Sequence, residues 1–133
     1  PPRATIVVPV DLSAIADIQN TPEWTGSLAF NYTISLGEGG EIVITPSASY
    51  RGAARLFELA TPGLDPGAYT LYNASVTWTS ENDRFRLGLH GRNLSDEQYR
   101  VGGYNFPGAL FGNSIIGFYG PPQTVTASVE VRF

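Results

Sequence analysis

The sequence contains no cysteine, no lysine and few charged residues of either sign. Without cysteine the chain has neither a disulfide framework nor a thiolate metal site. Charged residues make up 15% of the chain and all eight basic residues are arginine, whereas roughly a quarter of a typical soluble domain is charged. The net charge of −4 provides no basic patch that would follow a phosphate backbone, so the composition argues against nucleic-acid binding.

Long hydrophobic runs are absent as well. The longest apolar runs are Thr5–Val10 and Ser114–Tyr119. Both are far below the ~18 apolar residues of a membrane-spanning helix, so no such helix is predicted. Pro1–Arg3 lacks the basic start and the apolar core of a signal peptide. We therefore expect the chain to be a mature segment or an internal fragment of a longer protein.

Sequence motifs that carry catalysis are also missing: HExxH, GxSxG and the phosphate-binding loop do not occur. The single histidine, His90, has no second histidine as a metal partner and shares a predicted strand face with Arg92. A solvated or salt-bridged His90 is favoured over one that contacts a ligand, and Asp96 and Glu97 are favoured as turn or capping residues. We expect no catalytic site, no metal site and no cofactor.

Alternation of apolar and polar residues is the main positive signal. Successive residues of a strand point to opposite faces of a sheet, so a period of two predicts a strand with one apolar face. The alternation predicts five strands: Trp24–Leu36, Glu41–Arg51, Tyr69–Thr79, Arg84–Leu94 and Thr124–Phe133. One face of each is apolar and the other is rich in threonine, serine and arginine.

The four connections between these strands alternate in length. Gly37–Gly40 and Ser80–Asp83 are short and suit tight hairpins, whereas Gly52–Ala68 and Ser95–Gln123 are long and hold most of the glycine and proline. Short turns therefore share one end of the sheet and long loops share the other. The predicted fold is all-β, an antiparallel up-and-down meander of about five long strands.

The strand length favours a membrane barrel over a soluble sheet. Strands of globular proteins usually run about five or six residues, whereas a tilted strand that crosses a bilayer needs ~9–11. Transmembrane barrels also carry aromatic girdles at both interfaces, short periplasmic turns and long extracellular loops. The predicted girdle residues are Trp78, Phe85 and Phe133 near the short turns and Trp24, Tyr50 and Tyr72 near the long loops. The alternative is a soluble β-sandwich, in which the same apolar face turns inward.

Five strands do not close a barrel wide enough for transport, and a free sheet leaves two unpaired edges. We therefore expect these transmembrane strands to be part of a larger outer-membrane β-barrel. Residues 22–133 would form a C-terminal five-strand segment of it, and residues 1–21 an extracellular loop or the end of a preceding strand. Leu12–Ile18 is compatible with one helical turn.

A family resemblance covers most of the chain after residue 21. Five segments follow each other in the order typical of the C-terminal end of TonB-dependent receptors, which this chain resembles. They are PEWTGSLAFNYTI (Pro22–Ile34), SASYRG (Ser47–Gly52), YTLYNASVTW (Tyr69–Trp78), LGLHGRNLSDEQY (Leu87–Tyr99) and GPPQTVTASVEVRF (Gly120–Phe133). In that family the penultimate strand tends to end in an Asn-Leu-Ser/Thr-Asp motif followed by tyrosine. The matching residues here are Asn93, Leu94, Ser95, Asp96 and Tyr99.

The resemblance implies a barrel of about 22 strands with a plugged lumen in the bacterial outer membrane. Such a receptor takes up a scarce ligand, such as a siderophore, a vitamin or a glycan, with energy delivered through TonB. Its plug and its TonB-binding segment belong to the N-terminal part of the family and do not occur in this sequence. The implied partners are outer-membrane lipid, the rest of the barrel with its plug, and TonB. A porin or autotransporter-like barrel end shares the lipid-facing pattern and remains an alternative.

The last strand carries a further implied role. The assembly machinery of this class recognises a C-terminal strand of alternating apolar residues that ends in an aromatic residue, which Val129, Val131 and Phe133 match. Ala127 stands where a small residue, most obviously a glycine, is expected. Lipid contact alone is the simpler interpretation of these side chains, and both roles are compatible.

Ligand contacts are expected in the long loops, because loops of a rigid scaffold carry most binding residues. The segment Ser95–Gln123 is rich in aromatic residues that stack on sugars or on aromatic iron chelators, and an arginine attracts an anionic ligand. The alternative for these residues is loop packing over the barrel mouth. Arg51 and Arg55 near the other long loop are weaker candidates. The predicted ligand-binding residues are Arg100, Tyr104, Phe106 and Phe111.

Overall fold

The computed structural model describes residues 17–133, which form antiparallel strands and two short 3₁₀ turns, Gly37–Gly39 and Ala109–Phe111. Most of the predicted 1–21 segment and of the helical turn at Leu12–Ile18 lies outside these residues. No helix in the described part of the chain has the length and apolar character to cross a membrane. The strands are β1 (Thr25–Ala29), β2 (Tyr32–Ser35), β3 (Glu41–Arg51), β4 (Tyr69–Thr79), β5 (Phe85–Arg92), β6 (Arg100–Phe106), β7 (Ser114–Tyr119) and β8 (Thr124–Val131).

The larger sheet is an antiparallel meander. β1 and β2 both pair with β3, and the order continues through β4 and β5 to β8. The prediction of an all-β antiparallel fold is therefore confirmed. The sheet is open: β8 does not pair with β1 or β2, so each outer strand keeps one edge without a neighbour among residues 17–133.

The first predicted strand is interrupted between β1 and β2, and Pro46 on the neighbouring strand explains why. Ala29 lies opposite Ser47 and Tyr32 opposite Ile44, so the register continues across the break. The N–H of Phe30 donates to the carbonyl oxygen of Pro46 at 3.1 Å, but proline has no N–H to return the bond. The interruption is therefore a missing hydrogen bond and not a change of register.

The fourth predicted strand is shorter than expected, because Asn93 ends it. Asn93 adopts a left-handed backbone conformation with φ of 48°, which takes the chain out of the extended conformation after Arg92. At the opposite end, the N–H of Arg132 donates to the carbonyl oxygen of Arg84 at 2.8 Å. Pairing between β5 and β8 therefore extends one residue past the strand bounds at that end.

The segment Ser95–Gln123, expected as a loop, contains a hairpin. β6 and β7 form a separate two-stranded antiparallel sheet with an irregularity between Arg100 and Gly102. Alternation does not reveal these strands because glycines interrupt it in both, as at Gly103 and Gly117. The apolar run Ser114–Tyr119 was the available signal, since short apolar runs bounded by turn residues are typical of strands.

Hydrophobic burial is confined to the packing between the two long connections. In the connection Gly52–Ala68, Pro66 is buried and Leu64 is 0% exposed. Leu64 lies against the hairpin, where an added Cβ at Gly103 would approach its Cδ2 to 2.6 Å. The larger sheet therefore has no covered hydrophobic core of its own in the described chain.

Candidate functional site

The apolar residues of β2, β3, β4, β5 and β8 lie in register across the larger sheet. Cross-strand neighbours lie on the same face of a sheet, so directly opposed residues form rows. One row consists of Ile34, Ile42, Trp78, Leu87 and Val129, and the next consists of Tyr32, Ile44, Val76, Leu89 and Ala127. The five alternating segments of the sequence thus form a single apolar face.

This face is not covered by any other part of the described chain. Leu89, near its centre, is 52% exposed, and Val129 at the outer strand is 71% exposed. Soluble monomers rarely expose contiguous apolar patches of such extent, and larger ones indicate an interaction with protein or membrane. A soluble sandwich needs a second sheet over this face, and the β6–β7 sheet does not provide it.

The predicted girdle residues lie at the two ends of the apolar face. At the short-turn end, Phe85 lies opposite Val131, and the indole Nε1 of Trp78 donates to the carbonyl oxygen of Gly39 at 2.9 Å. At the long-loop end, Tyr50 lies opposite Gly26 and Tyr72 opposite Ala48. Trp24, Tyr50, Tyr72, Phe85 and Phe133 are all exposed.

The opposite face of the sheet is polar. Glu130 on β8 pairs with the Arg86 guanidinium across the strands at 3.8 Å and with Arg132 at 2.8 Å. His90 lies 3.5 Å from the Ser128 hydroxyl, on the same face. This surface of hydroxyl, imidazole and charged groups suits contact with water or with a polar segment of protein.

The Asn-Leu-Ser-Asp motif joins the end of β5 to the start of β8. The Asn93 amide donates to the carbonyl oxygens of Glu97 at 2.9 Å and Pro121 at 3.2 Å, and its Oδ1 accepts from the Glu97 N–H. The Asp96 carboxylate accepts the N–H of Gln123 at 3.0 Å. Both side chains therefore have structural roles, and the interpretation of Asp96 as a capping residue agrees with this geometry.

The predicted ligand-binding residues lie on the β6–β7 hairpin, but Arg100 differs from the other three. Its Nη1 donates to the carbonyl oxygen of Asp65 at 3.3 Å, and the side chain is partly buried. Arg100 therefore attaches the hairpin to the 52–68 connection. In that connection the Asp65 carboxylate accepts the N–H groups of Leu56 and Thr61.

Tyr104, Phe106 and Phe111 form a connected set of rings with Phe118, which the sequence analysis did not single out as a site residue. The centroid of Tyr104 is 5.4 Å from that of Phe118 and 6.0 Å from that of Phe106, and Phe106 is 5.9 Å from Phe111. A strand assignment for Ser114–Tyr119 would have placed Phe118 beside β6.

The weaker arginine candidates, Arg51 and Arg55, both contact the chain segment that precedes β1. Arg51 donates to the backbone oxygen of Asn20 at 3.0 Å and to its side-chain oxygen at 2.6 Å. The Arg55 Nε lies 3.7 Å from the Asp17 carboxylate. Arg51 thus attaches the chain that precedes β1 to the end of β3, and Arg55 attaches it to the 52–68 connection.

Comparison with protein-family models, with curated proteins and with solved structures finds no match for this chain. In residues 17–133 there is no group of three or more histidine, aspartate or glutamate side chains placed to hold a metal ion. The candidate functional surfaces are therefore the uncovered apolar face and the aromatic side of the hairpin.

Proposed function

We propose that this chain is the C-terminal part of a TonB-dependent receptor in the bacterial outer membrane, which takes up a scarce ligand. The observation that carries the proposal is the apolar face, which is continuous across the meander and uncovered in the described chain. Lipid is the environment in which such a face is stable, because contact with acyl chains removes it from water.

The open edges of the sheet support membership of a larger barrel. In β8 the even-numbered residues direct their backbone groups toward β5, as the bond from Arg132 to Arg84 indicates. The backbone groups of Val125, Ala127, Val129 and Val131 therefore face away from β5, because bonding direction alternates along an antiparallel strand. Unpaired backbone groups are costly in a bilayer, so further strands must cover both edges.

The ordered sequence motifs support the receptor family within the class of membrane barrels. In particular, Asn93 bonds to Pro121 and Asp96 bonds to Gln123, just before β8 begins. The motif can therefore fix where β5 ends and where β8 begins. The implied plug, the TonB contact and recognition of Val129, Val131 and Phe133 by the assembly machinery remain part of the proposal.

Fractionation of the source cells tests the proposal on the native protein. We expect the intact mass of the protein that carries this sequence to be several times 14.3 kDa, and we expect it in the outer-membrane fraction. A soluble species of 14.3 kDa would contradict the proposal and favour a β-sandwich binding module. An outer-membrane species without a plug or a TonB-binding segment would favour a porin or autotransporter-like barrel.

Tryptophan fluorescence tests the lipid contact directly, because Trp24 and Trp78 are the only two tryptophans and lie at opposite ends of the face. The chain is refolded into vesicles whose lipids carry bromine either near the headgroup or deep in the acyl chain, where its two open edges pair with those of other copies. In the single-tryptophan variants Trp24→Phe and Trp78→Phe, we expect stronger quenching by shallow bromine than by deep bromine. Absence of quenching in both variants would contradict insertion.

A further inference from the structure

The β6–β7 hairpin begins beyond the aromatic girdle at the long-loop end. The Tyr99 ring, just before β6, stacks on the Tyr69 ring with a centroid separation of 4.5 Å. Tyr69 is the first residue of β4 and precedes the girdle residue Tyr72 by three positions, or about 10 Å of extended strand. In the proposed membrane location the hairpin stands outside the bilayer, and lipid does not cover it.

One face of the hairpin is occupied by its attachment to the 52–68 connection. Leu64 lies against Gly103 and Gly117, where a Cβ would come within 2.6 and 3.9 Å of its Cδ2. The Ile115 side chain approaches Gly63 on the same side. With the bond from Arg100 to Asp65, these contacts hold the hairpin in a fixed position, and its other face remains available.

The available face carries the four connected rings, Tyr104, Phe106, Phe111 and Phe118. Tyr104 is 56% exposed, and Phe111 and Phe118 are also exposed. The contacts between the rings limit their rotation, so this aromatic strip presents ring faces and edges at fixed places. A preorganised surface loses less conformational freedom when it binds a ligand.

The aromatic strip has no charge near it in the sequence. No Asp, Glu, Lys, Arg or His occurs between Val101 and Gln123, and the guanidinium of Arg100 is directed to the 52–68 connection. A surface that selects an anionic chelate needs a cation that the ligand can reach. The sequence led us to expect either a sugar or an aromatic iron chelator as the ligand. The strip therefore fits an uncharged sugar better than an anionic chelator.

We propose that the aromatic strip binds an uncharged oligosaccharide, whose sugar rings stack on the faces of Tyr104, Phe106, Phe111 and Phe118. Sugar C–H groups carry partial positive charge, and the face of an aromatic ring carries partial negative charge. The Tyr104 hydroxyl adds a hydrogen-bond donor and acceptor for sugar hydroxyls. This inference specifies the ligand class of the proposed receptor and depends on that proposal for the strip's location outside the membrane.

Binding is tested on the full chain in a zwitterionic detergent without a sugar headgroup. The probes are the neutral hexamers of α1→4 glucose, β1→4 glucose and β1→4 N-acetylglucosamine, with hexagalacturonate as the anionic control. Saturation transfer from protein aromatic protons detects contact, and calorimetry gives Kd. We expect transfer to at least one neutral hexamer and none to hexagalacturonate.

The variants separate the strip from the rest of the hairpin. We expect Tyr104→Ala and Phe118→Ala each to raise Kd about tenfold, since one stacked ring contributes about that factor. Tyr104→Phe keeps the ring and is expected to retain most of the affinity, which distinguishes loss of the ring from loss of the hydroxyl. Tyr119→Ala is the matched control, because Tyr119 is an exposed aromatic on the Gly117 side of the same hairpin.

Three binding results would each overturn the inference: no transfer to any neutral hexamer, equal binding of hexagalacturonate, or equal weakening by Tyr119→Ala and Tyr104→Ala. Broadening of the Tyr104 ring signals by a nitroxide deep in the acyl chains would assign the strip to lipid and would also overturn it. Failure of these tests while tryptophan quenching succeeds removes the sugar ligand and leaves the membrane proposal intact.

Discussion

The side-chain amide of Asn93 donates a hydrogen bond to the carbonyl oxygen of Pro121 at 3.2 Å. This bond joins the point where β5 ends to the point where β8 begins, across the whole inserted hairpin. Asn93 is only 4% exposed, and its left-handed backbone is one that asparagine adopts more readily than most residues. The same residue therefore ends one strand through its backbone and positions the next through its side chain.

Replacement of Asn93 tests this junction. Asn93→Ala removes the side-chain bonds to the backbone groups of Glu97 and Pro121 and adds backbone strain. We expect it to lower the free energy of unfolding by about 3 kcal/mol, as measured by urea titration in lipid vesicles. Asn93→Gly loses the same bonds without the Cβ strain, so its cost should be about 1–2 kcal/mol smaller. Equal costs would indicate that backbone strain contributes nothing.

The β2–β3 turn offers a matched pair of glycines, Gly37 and Gly40, which both have positive φ. A Cβ at Gly37 meets no atom within 4 Å, whereas one at Gly40 would collide with the backbone of Thr79 and Ser80. We expect Gly37→Ala to cost about 1–2 kcal/mol of unfolding free energy from strain alone. Gly40→Ala should cost more than about 3 kcal/mol, because the backbone must also move. Similar midpoints in urea titrations would contradict this assignment.

The sequence predicted the larger sheet well because its information is local. The alternation within each strand identifies its apolar face without reference to any other strand. Once the strands are antiparallel neighbours, it follows that Val76 lies on the same face as Leu89, and Leu89 on the same face as Ala127. Turn lengths restrict the register further. No long-range contact has to be known to place Leu89 on the apolar face.

The features that the sequence did not predict depend on contacts between distant residues. The break at Phe30 is caused by a proline on the next strand, and nothing in Trp24–Leu36 signals it. The β6–β7 hairpin was not predicted because Gly103 and Gly117 interrupt the alternation of apolar and polar residues in its strands. The same two glycines make room for Leu64. The role of Arg100 likewise depends on Asp65, which lies 35 positions earlier in the chain.

Restoring an N–H at position 46 tests the account of the strand break. In Pro46→Ala the new N–H faces the carbonyl oxygen of Phe30, since Pro46 already accepts the N–H of Phe30. We expect this amide to exchange slowly with deuterium, with protection comparable to that of the Ala48 amide in the same strand. An amide that exchanges at the rate of a solvent-exposed loop would show that the break has another cause.

Two neighbouring glycines test the attachment of the hairpin. A Cβ at Gly103 would come within 2.5 Å of the Ile116 carbonyl oxygen and 2.6 Å of Leu64, whereas one at Gly102 would make an ordinary contact of 3.5 Å with Phe118. We expect Gly103→Ala to loosen the hairpin from the 52–68 connection and to speed proteolytic cleavage within residues 101–119. Gly102→Ala should be cleaved at the parent rate. Equal cleavage of both variants would contradict the attachment through Leu64.

Leu89 and His90 are adjacent on β5 but project from opposite faces of the sheet, so the same substitution at each distinguishes the faces. If the apolar face contacts lipid, Leu89→Arg places a charge near the bilayer midplane and should lower the unfolding free energy in vesicles by about 2–4 kcal/mol. His90→Arg adds its charge to the polar face beside Ser128, where water or a polar segment solvates it, and its cost should be less than about 1 kcal/mol. In a soluble sandwich the apolar face is an inner core, and the cost of Leu89→Arg would appear equally in detergent-free buffer. A chain that needs vesicles to fold, and that tolerates arginine only at position 90, therefore has its apolar face in lipid.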